Sequence, residues 1–226
     1  MKSKTYLKLK KEAPTESVEL EEAIKWLKEN TRKSFDETIE LHVRLGVNYE
    51  KSDQMVRGQA VLPAGAVGKP DIVVFTDNES QEKEILAAGA AQVGGEKLIG
   101  EIESKGSLKA DVTIATPSMM AKVAKIAKVL GPQGLMPSPK TGTVSDEPVK
   151  VVEDLLGGKI SFKMDQLGNV HQAIGKASWE DEKILSNVQA LMQAITVARP
   201  DSAKGEFLKA IYIKSTMSPG IRITTS

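Results

Sequence analysis

Two stretches of the chain combine glycine with lysine as phosphate-holding loops do: LPAGAVGKP at 62–70 and GPQGLMPSPKTGTV at 131–144. A nucleotide-cradling loop needs glycine, four residues and then Gly-Lys-Ser/Thr at a helix start, so that backbone N–H groups and the helix terminus hold the anion. In the first stretch only two residues separate Gly65 from Gly68, and Gly68-Lys69 runs into Pro70. In the second, Lys140 and Thr141 follow prolines, which lack the N–H donors, and the loop comes after a helical run. Both stretches read as generic turns, and the second also as a fixed, extended surface loop whose Pro/Gly chemistry presents Lys140 and Thr141. His42 and His171 have no spacing that builds a zinc site or a catalytic triad, and read as surface or packed residues. The carboxylates gather at helix starts, where the helix dipole explains them, and yield no acid/base pair. With no cysteine, disulfides and cysteine-ligated metal are excluded, which fits a reducing compartment. Lys122, Lys125 and Lys128 share a helical face, which reads either as a solvated stripe or as a phosphate-contacting ridge.

The elements that must carry these residues fall into two groups. LPAGAVGKP and LLGGKI (155–160) look like paired linkers around a central segment. Residues 70–157 hold nine basic and thirteen acidic residues, whereas the flanks hold twenty-two and seventeen, so the flanks are the better candidate for an anion. The expected partition is a split α+β domain, 1–67 plus 158–226, and an inserted Rossmann-like three-layer α/β domain, 68–157.

In the flanks, ELEEAIKWLKEN aligns Leu20, Ala23, Ile24 and Leu27 on one helical face, with acids in the first turn. TIELHVRL alternates Ile39, Leu41, Val43 and Leu45 with Thr38, Glu40, His42 and Arg44, predicting a half-buried strand. KISFKMD, a turn at Gly168 and VHQAI predict a hairpin. The helix EDEKILSNVQALMQAITVA follows, with Ser178 and Asp181 spaced as in a capping box. FLKAIYIKSTM and IRIT complete a sheet covered by two helices. In the centre, DIVVFT and DVTIAT are short apolar strands, each before a helical pattern, which predicts a parallel sheet. Thr116 is placed to cap the helix beginning at Pro117, and Gly131-Pro132 to stop it. The longest apolar runs are too short to span a membrane and the basic N-terminus has no apolar signal core, so the expectation is a soluble, unprocessed, cytoplasmic chain.

GPQGLMPSPKTGTV, preceded by ATPSMM and followed by STMSPGIRI near the end, closely resembles the family of the first-numbered bacterial large-subunit ribosomal protein, that of the mobile ribosomal stalk. SFDETIELHVRLGV, SDQMVRGQAVLP, AGAAQVGGEKLI, VHQAIGKASW and AKGEFLKAIYIKSTM have counterparts in order, so the resemblance spans nearly the whole chain. It implies a non-enzymatic ribosomal component that takes no cofactor. Its partners would be large-subunit ribosomal RNA, tRNA at the exit site, other ribosomal components and its own messenger, which it would repress.

Carried over residue by residue, the resemblance implies an RNA surface of Phe35 and Thr38 in SFDET, Lys176 and Ser178 in GKAS, and Ser215, Thr216, Met217 and Ser218 in STMS. Lys122, Lys125, Lys140 and Thr141 of the inserted domain form a secondary set. Hydroxyls and lysine can bond 2′-OH and phosphate groups, and Phe35 and Met217 can pack on a ribose or base, although both also read as core. Aromatic residues make up only 4% of the chain, so shape and 2′-OH readout are expected to outweigh a broad stacking platform. Gln133 stands where the family usually has arginine, Ser138 for asparagine, Ala64 for histidine and Ser218 for glycine. The alternatives are a nucleotide-dependent enzyme using the α/β domain and a protein-protein scaffold.

Overall fold

The computed structural model describes residues 4–32, 34–49 and 51–224. Along the chain run α1 (Lys4–Glu12), α2 (Leu20–Glu29), β1 (Thr38–Leu45), β2 (Arg57–Val61), β3 (Ile72–Phe75), α3 (Glu79–Ala87), β4 (Gln92–Gly94), α4 (Glu96–Lys105) and β5 (Val112–Ala115). There follow α5 (Met120–Val123), α6 (Ala127–Leu130), α7 (Pro148–Leu156), β6 (Lys159–Lys163), β7 (Asn169–Lys176), α8 (Asp181–Val197), β8 (Leu208–Ser215) and β9 (Ile221–Ile223). The fold is mixed α/β, and its internal contacts divide it into two compact units: residues 1–67 with 160–226, and residues 68–159.

The first unit is built on an antiparallel sheet in the order β7-β1-β8-β9. Ile39, Leu41, Val43 and Leu45 of β1 are buried beneath Ala23, Ile24 and Leu27 of α2 and Ile184, Val188, Leu191 and Ile195 of α8. Each of these valine, leucine and isoleucine side chains contributes roughly 1.5–3 kcal/mol by leaving water. The helices thus cover one face of the sheet, while Thr38, Glu40, His42 and Arg44 alternate onto the other. Basic α1 forms in a stretch for which the sequence reading assigns no element.

Two expectations are corrected here. β6 and β7 do not form a hairpin: β6 pairs with β2 in a separate two-stranded sheet, whereas β7 pairs with β1. The turn between them exists, with Gly168 at φ +83° and Asp165 collecting the N–H groups of Leu167 (2.8 Å) and Asn169 (2.7 Å). The strands diverge because Met164 N–H bonds Val56 O at 2.9 Å, drawing β6 toward the chain just before β2. Nor does Ser178 cap α8: Glu180 occupies the N-cap position without a side-chain cap, and Ser178 bonds elsewhere.

In the second unit three parallel strands lie in the order β4-β3-β5. Val73 and Phe75 pack with α4 and the 117–130 segment, while Ile72 and Val74 pack with Ile85 of α3 and Val152 and Leu155 of α7. The expected helix from Pro117 is broken into 3₁₀ turns at 117–119 and 124–126 and the short α5 and α6. Thr116 flanks its start without capping it; its hydroxyl lies 3.0 Å from that of Ser118. Gly131 ends the run, its N–H bonding Ala127 O at 2.8 Å.

Candidate nucleic-acid interface

Pairing of β1 with both neighbours brings three remote segments together. Thr38 is opposite Lys176 of β7, and Ile39 is opposite Ser215 of β8. Because both neighbours run antiparallel to β1, their C-terminal ends lie beside its N-terminal start. Residues 35–38, 176–178 and 215–218 therefore gather at one end of the sheet, and all eight residues of the main set implied by the resemblance lie within them.

Glu37 organises this end. Its side chain is 1% exposed and accepts three hydrogen bonds: from Ser215 Oγ at 2.5 Å and Met217 N–H at 3.1 Å on Oε2, and from Arg32 N–H at 2.9 Å on Oε1. Ser215 N–H in turn donates to Ser218 Oγ at 2.9 Å, and the Ser218 hydroxyl reaches Pro219 O at 3.0 Å. Ser215 and Ser218 are buried, so they hold the turn and do not face outward. Thr216 belongs to that turn and not to a strand, since β8 stops at Ser215. Its Oγ1 accepts from Thr38 N–H at 3.0 Å, which ties the turn to the start of β1.

The outward groups are of a different kind. Lys176 Nζ donates to Thr38 Oγ1 at 2.9 Å, and Ser178 donates to Asp36 through both its N–H (3.1 Å) and its hydroxyl (2.8 Å). Phe35 is 46% exposed and Met217 37%, so neither is a core residue. The result is a surface with two threonine hydroxyls, an ammonium and two bare apolar side chains, held from beneath by a buried carboxylate. Such a surface can bond ribose hydroxyls and phosphates and pack on a sugar or base.

Sequence reading missed Glu37, although the signal was present. One step back along the alternation Ile39, Leu41, Val43, Leu45 puts residue 37 on the inward face, and the series Ile211, Ile213, Ser215 points its last member the same way. It also missed Asp36, which fixes Ser178.

The model of the ribosomal protein L1p/L10e family matches residues 27–219 of the chain. The chain belongs to this family. Among its relatives, "Large ribosomal subunit protein uL1" of Solibacter usitatus (strain Ellin6076) is 40% identical over 223 residues, covering 99% of this chain and 94% of the relative. The protein of the same name from Salinispora arenicola (strain CNS-205) is 45% identical over 202 residues, 89% of this chain and 84% of the relative. Membership of the L1p/L10e family makes the chain a structural ribosomal component and not an enzyme.

The secondary set lies in the second unit. Lys122 Nζ is ion-paired with Glu96 at 2.9 Å, and that hydrogen bond and charge raise the Lys122 pKa above its ordinary value while lowering that of Glu96. Part of the lysine ridge is thus already matched by an acid. The loop 131–144 is not the extended segment expected. Pro139–Thr141 form a 3₁₀ turn, and Thr141 Oγ1 bonds Ser138 O at 3.1 Å, beside Thr143 Oγ1 at 3.1 Å. Ala115 N–H to Thr143 O (3.0 Å) and Ser145 N–H to Ala115 O (3.2 Å) stitch the loop's end to β5. Lys140 sits in the turn, but its side chain lies outside the described residues.

The two histidines also meet. His42 and His171 are register partners, with their Nδ1 atoms 2.5 Å apart. Burial first, then His171 and Lys214, push the His42 pKa below the ordinary imidazole value, against the pull of Glu40, whose Oε2 is 3.4 Å from His42 Nε2. Among the described residues no cluster of three or more potential ligands could hold a metal, and no helix is long and apolar enough to cross a membrane.

Proposed function

We propose that this chain is a component of the large ribosomal subunit that binds large-subunit ribosomal RNA through the sheet end of its first unit. The observation that carries the reading is the convergence of residues 35–38, 176–178 and 215–218 on one outward surface of hydroxyls, lysine and exposed Phe35 and Met217, fastened by Glu37. The family resemblance extends the reading to the mobile stalk beside the exit site, to contact with departing tRNA and to repression of the chain's own messenger, in the cytoplasm with the ribosome. In this reading the split domain is the main RNA module. The inserted α/β domain adds Lys125, Lys140 and Thr141, with Lys122 contributing only if it leaves Glu96.

The test is a titration of the full chain against a stalk fragment of large-subunit ribosomal RNA, beside an unrelated duplex, at two salt concentrations. Selective binding that weakens with salt is expected. Lys176→Gln should lower the logarithmic salt slope by roughly 0.7–0.9, the value of one neutralised phosphate. Thr216→Val should weaken the stalk fragment by about 1–3 kcal/mol, because it removes an outward hydroxyl and unpairs Thr38 N–H. Equal binding to both RNAs by all three proteins would reject the reading.

A further inference from the structure

The face of the β7-β1-β8-β9 sheet turned away from the helices carries a row that no feature of the proposed surface uses. Register places His171 opposite His42, His42 opposite Tyr212 and Tyr212 opposite Arg222, so one line across all four strands consists of three rings and a guanidinium. The two imidazoles lie edge to face with centroids 4.8 Å apart and an interplanar angle of 62°. Tyr212 is 39% exposed, and Gly220 beside it has no side chain to cover it: a Cβ there would lie 3.8 Å from Tyr212 Cβ. An exposed tyrosine at the middle of a sheet, flanked by a cation, presents a flat apolar surface to whatever binds.

Charge on this face favours an anion. Its acids are Glu40, bonded to Lys214 at 3.0 Å, and Asp165 at the edge, 3.2 Å from His171. Arg44 and Arg222 are exposed and have no ion-pair partner among the described residues. The row is also continuous with the proposed interface. His42 follows Thr38 by four residues on the same strand face, about 13 Å at the usual rise, with Glu40 and Lys214 between them. A four-stranded antiparallel sheet with helices behind and rings on its open face is the layout with which RNA-recognition domains stack unpaired bases.

We propose that the open sheet face is a single-stranded RNA track, in which an unpaired base stacks on Tyr212 while Arg222 and Arg44 hold the flanking phosphates. The track extends the ribosomal RNA surface proposed above and rests on that reading. Only an unpaired base offers a face to a ring, so duplex RNA does not use it. The low aromatic content conceals such a row because two of its three rings are imidazoles.

The experiment uses the full chain and two probes: a stalk RNA fragment trimmed to its paired core, and the same fragment with unpaired extensions at both ends. The extended RNA should bind the parent chain about tenfold more tightly, within the range of one stacked base. Tyr212→Leu should abolish that difference and leave the trimmed fragment's affinity unchanged, Tyr212→Phe should retain it, and Arg222→Gln should reduce it and its salt dependence. RNA carrying 4-thiouridine in the extensions should photocrosslink to the row around Tyr212. If both probes bind the parent equally, or crosslinks fall only on residues 35–38 and 215–218, the track is rejected while the main interface stands. If a docked protein covers this face instead, Tyr212→Leu leaves every RNA affinity unchanged, and the track is likewise rejected. If neither RNA binds, the underlying reading fails with it.

Discussion

Replacing Glu37 with glutamine keeps the size of the side chain and removes half of its accepting capacity. The carboxylate now takes Ser215 O–H and Met217 N–H on one oxygen and Arg32 N–H on the other. In its least costly orientation the amide keeps its oxygen toward Ser215 and Met217 and turns its NH₂ against Arg32 N–H, donor against donor. Two bonds fall from the charge-assisted to the neutral class, a loss of about 1 kcal/mol each, and the third becomes an unpaired donor costing about 1 kcal/mol more. The total of about 3 kcal/mol predicts a drop in melting temperature of about 6–12 °C at 2–4 °C per kcal/mol. Affinity for the stalk RNA fragment should fall about tenfold, because the turn carrying Thr216 and Met217 must then be ordered on binding, and 1.4 kcal/mol is a factor of ten. Circular dichroism melts and the RNA titration read the two effects. Ser215→Ala, which removes one donor, should cost only about 1 kcal/mol. A Glu37→Gln protein that melts within a degree of the parent and binds RNA equally would refute the claim that this carboxylate holds the surface.

Asn187 is wholly buried in α8, accepts Ala64 N–H at 3.0 Å and donates to Gly65 O at 3.2 Å and Ile174 O at 2.8 Å. Asn187→Leu should destabilise by about 3 kcal/mol and speed hydrogen exchange at Ala64, because three backbone groups lose their partner. Asp165 has the opposite signature, visible in pH. Burial alone would raise its pKa, but hydrogen bonds from Asn169, Leu167 and His171 prevail and hold it at about 2 against an ordinary 3.8. Its folded value is depressed, so its contribution is fully present above pH 3.8 and is lost as pH falls through about 2. Its side chain is about a third exposed, so Asp165→Asn should cost about 1 kcal/mol at pH 7 and almost nothing at pH 2, as measured by urea unfolding.

The parts of the fold written in local periodicity were legible. α2, β1 and α8 follow from apolar spacing alone, because burial of one face selects that spacing. What local pattern could not show was which strand pairs with which: β6 looked like half of a hairpin, yet its partner lies about a hundred residues earlier. The same holds at the surface. Phe35, Thr38, Lys176, Thr216 and Met217 were named through family resemblance, but no spacing rule joins residue 38 to residue 216. Ser215 and Ser218 were named with them, and only burial distinguishes their anchoring role from outward contact. Glu37 lies one residue before the strand pattern begins, and the partners that bury it come from residues 32, 215 and 217, which local spacing does not join to it. The partner of Lys122, Glu96, is on another helix and invisible to helical spacing.

The bond from Ser215 to Glu37 closes a span of 178 residues. On a chain emerging N-terminus first at roughly 5–20 residues per second, the carboxylate waits roughly 10–35 s before its partner exists. Long-range pairing of this kind also folds slowly once it is possible. During that interval β1 has no β8 to lie against, and the hydroxyls and ring that would meet RNA have no fixed positions. A nascent chain is therefore without the proposed RNA surface until residues 215–218 have been made, so it cannot engage an RNA through that surface before they emerge.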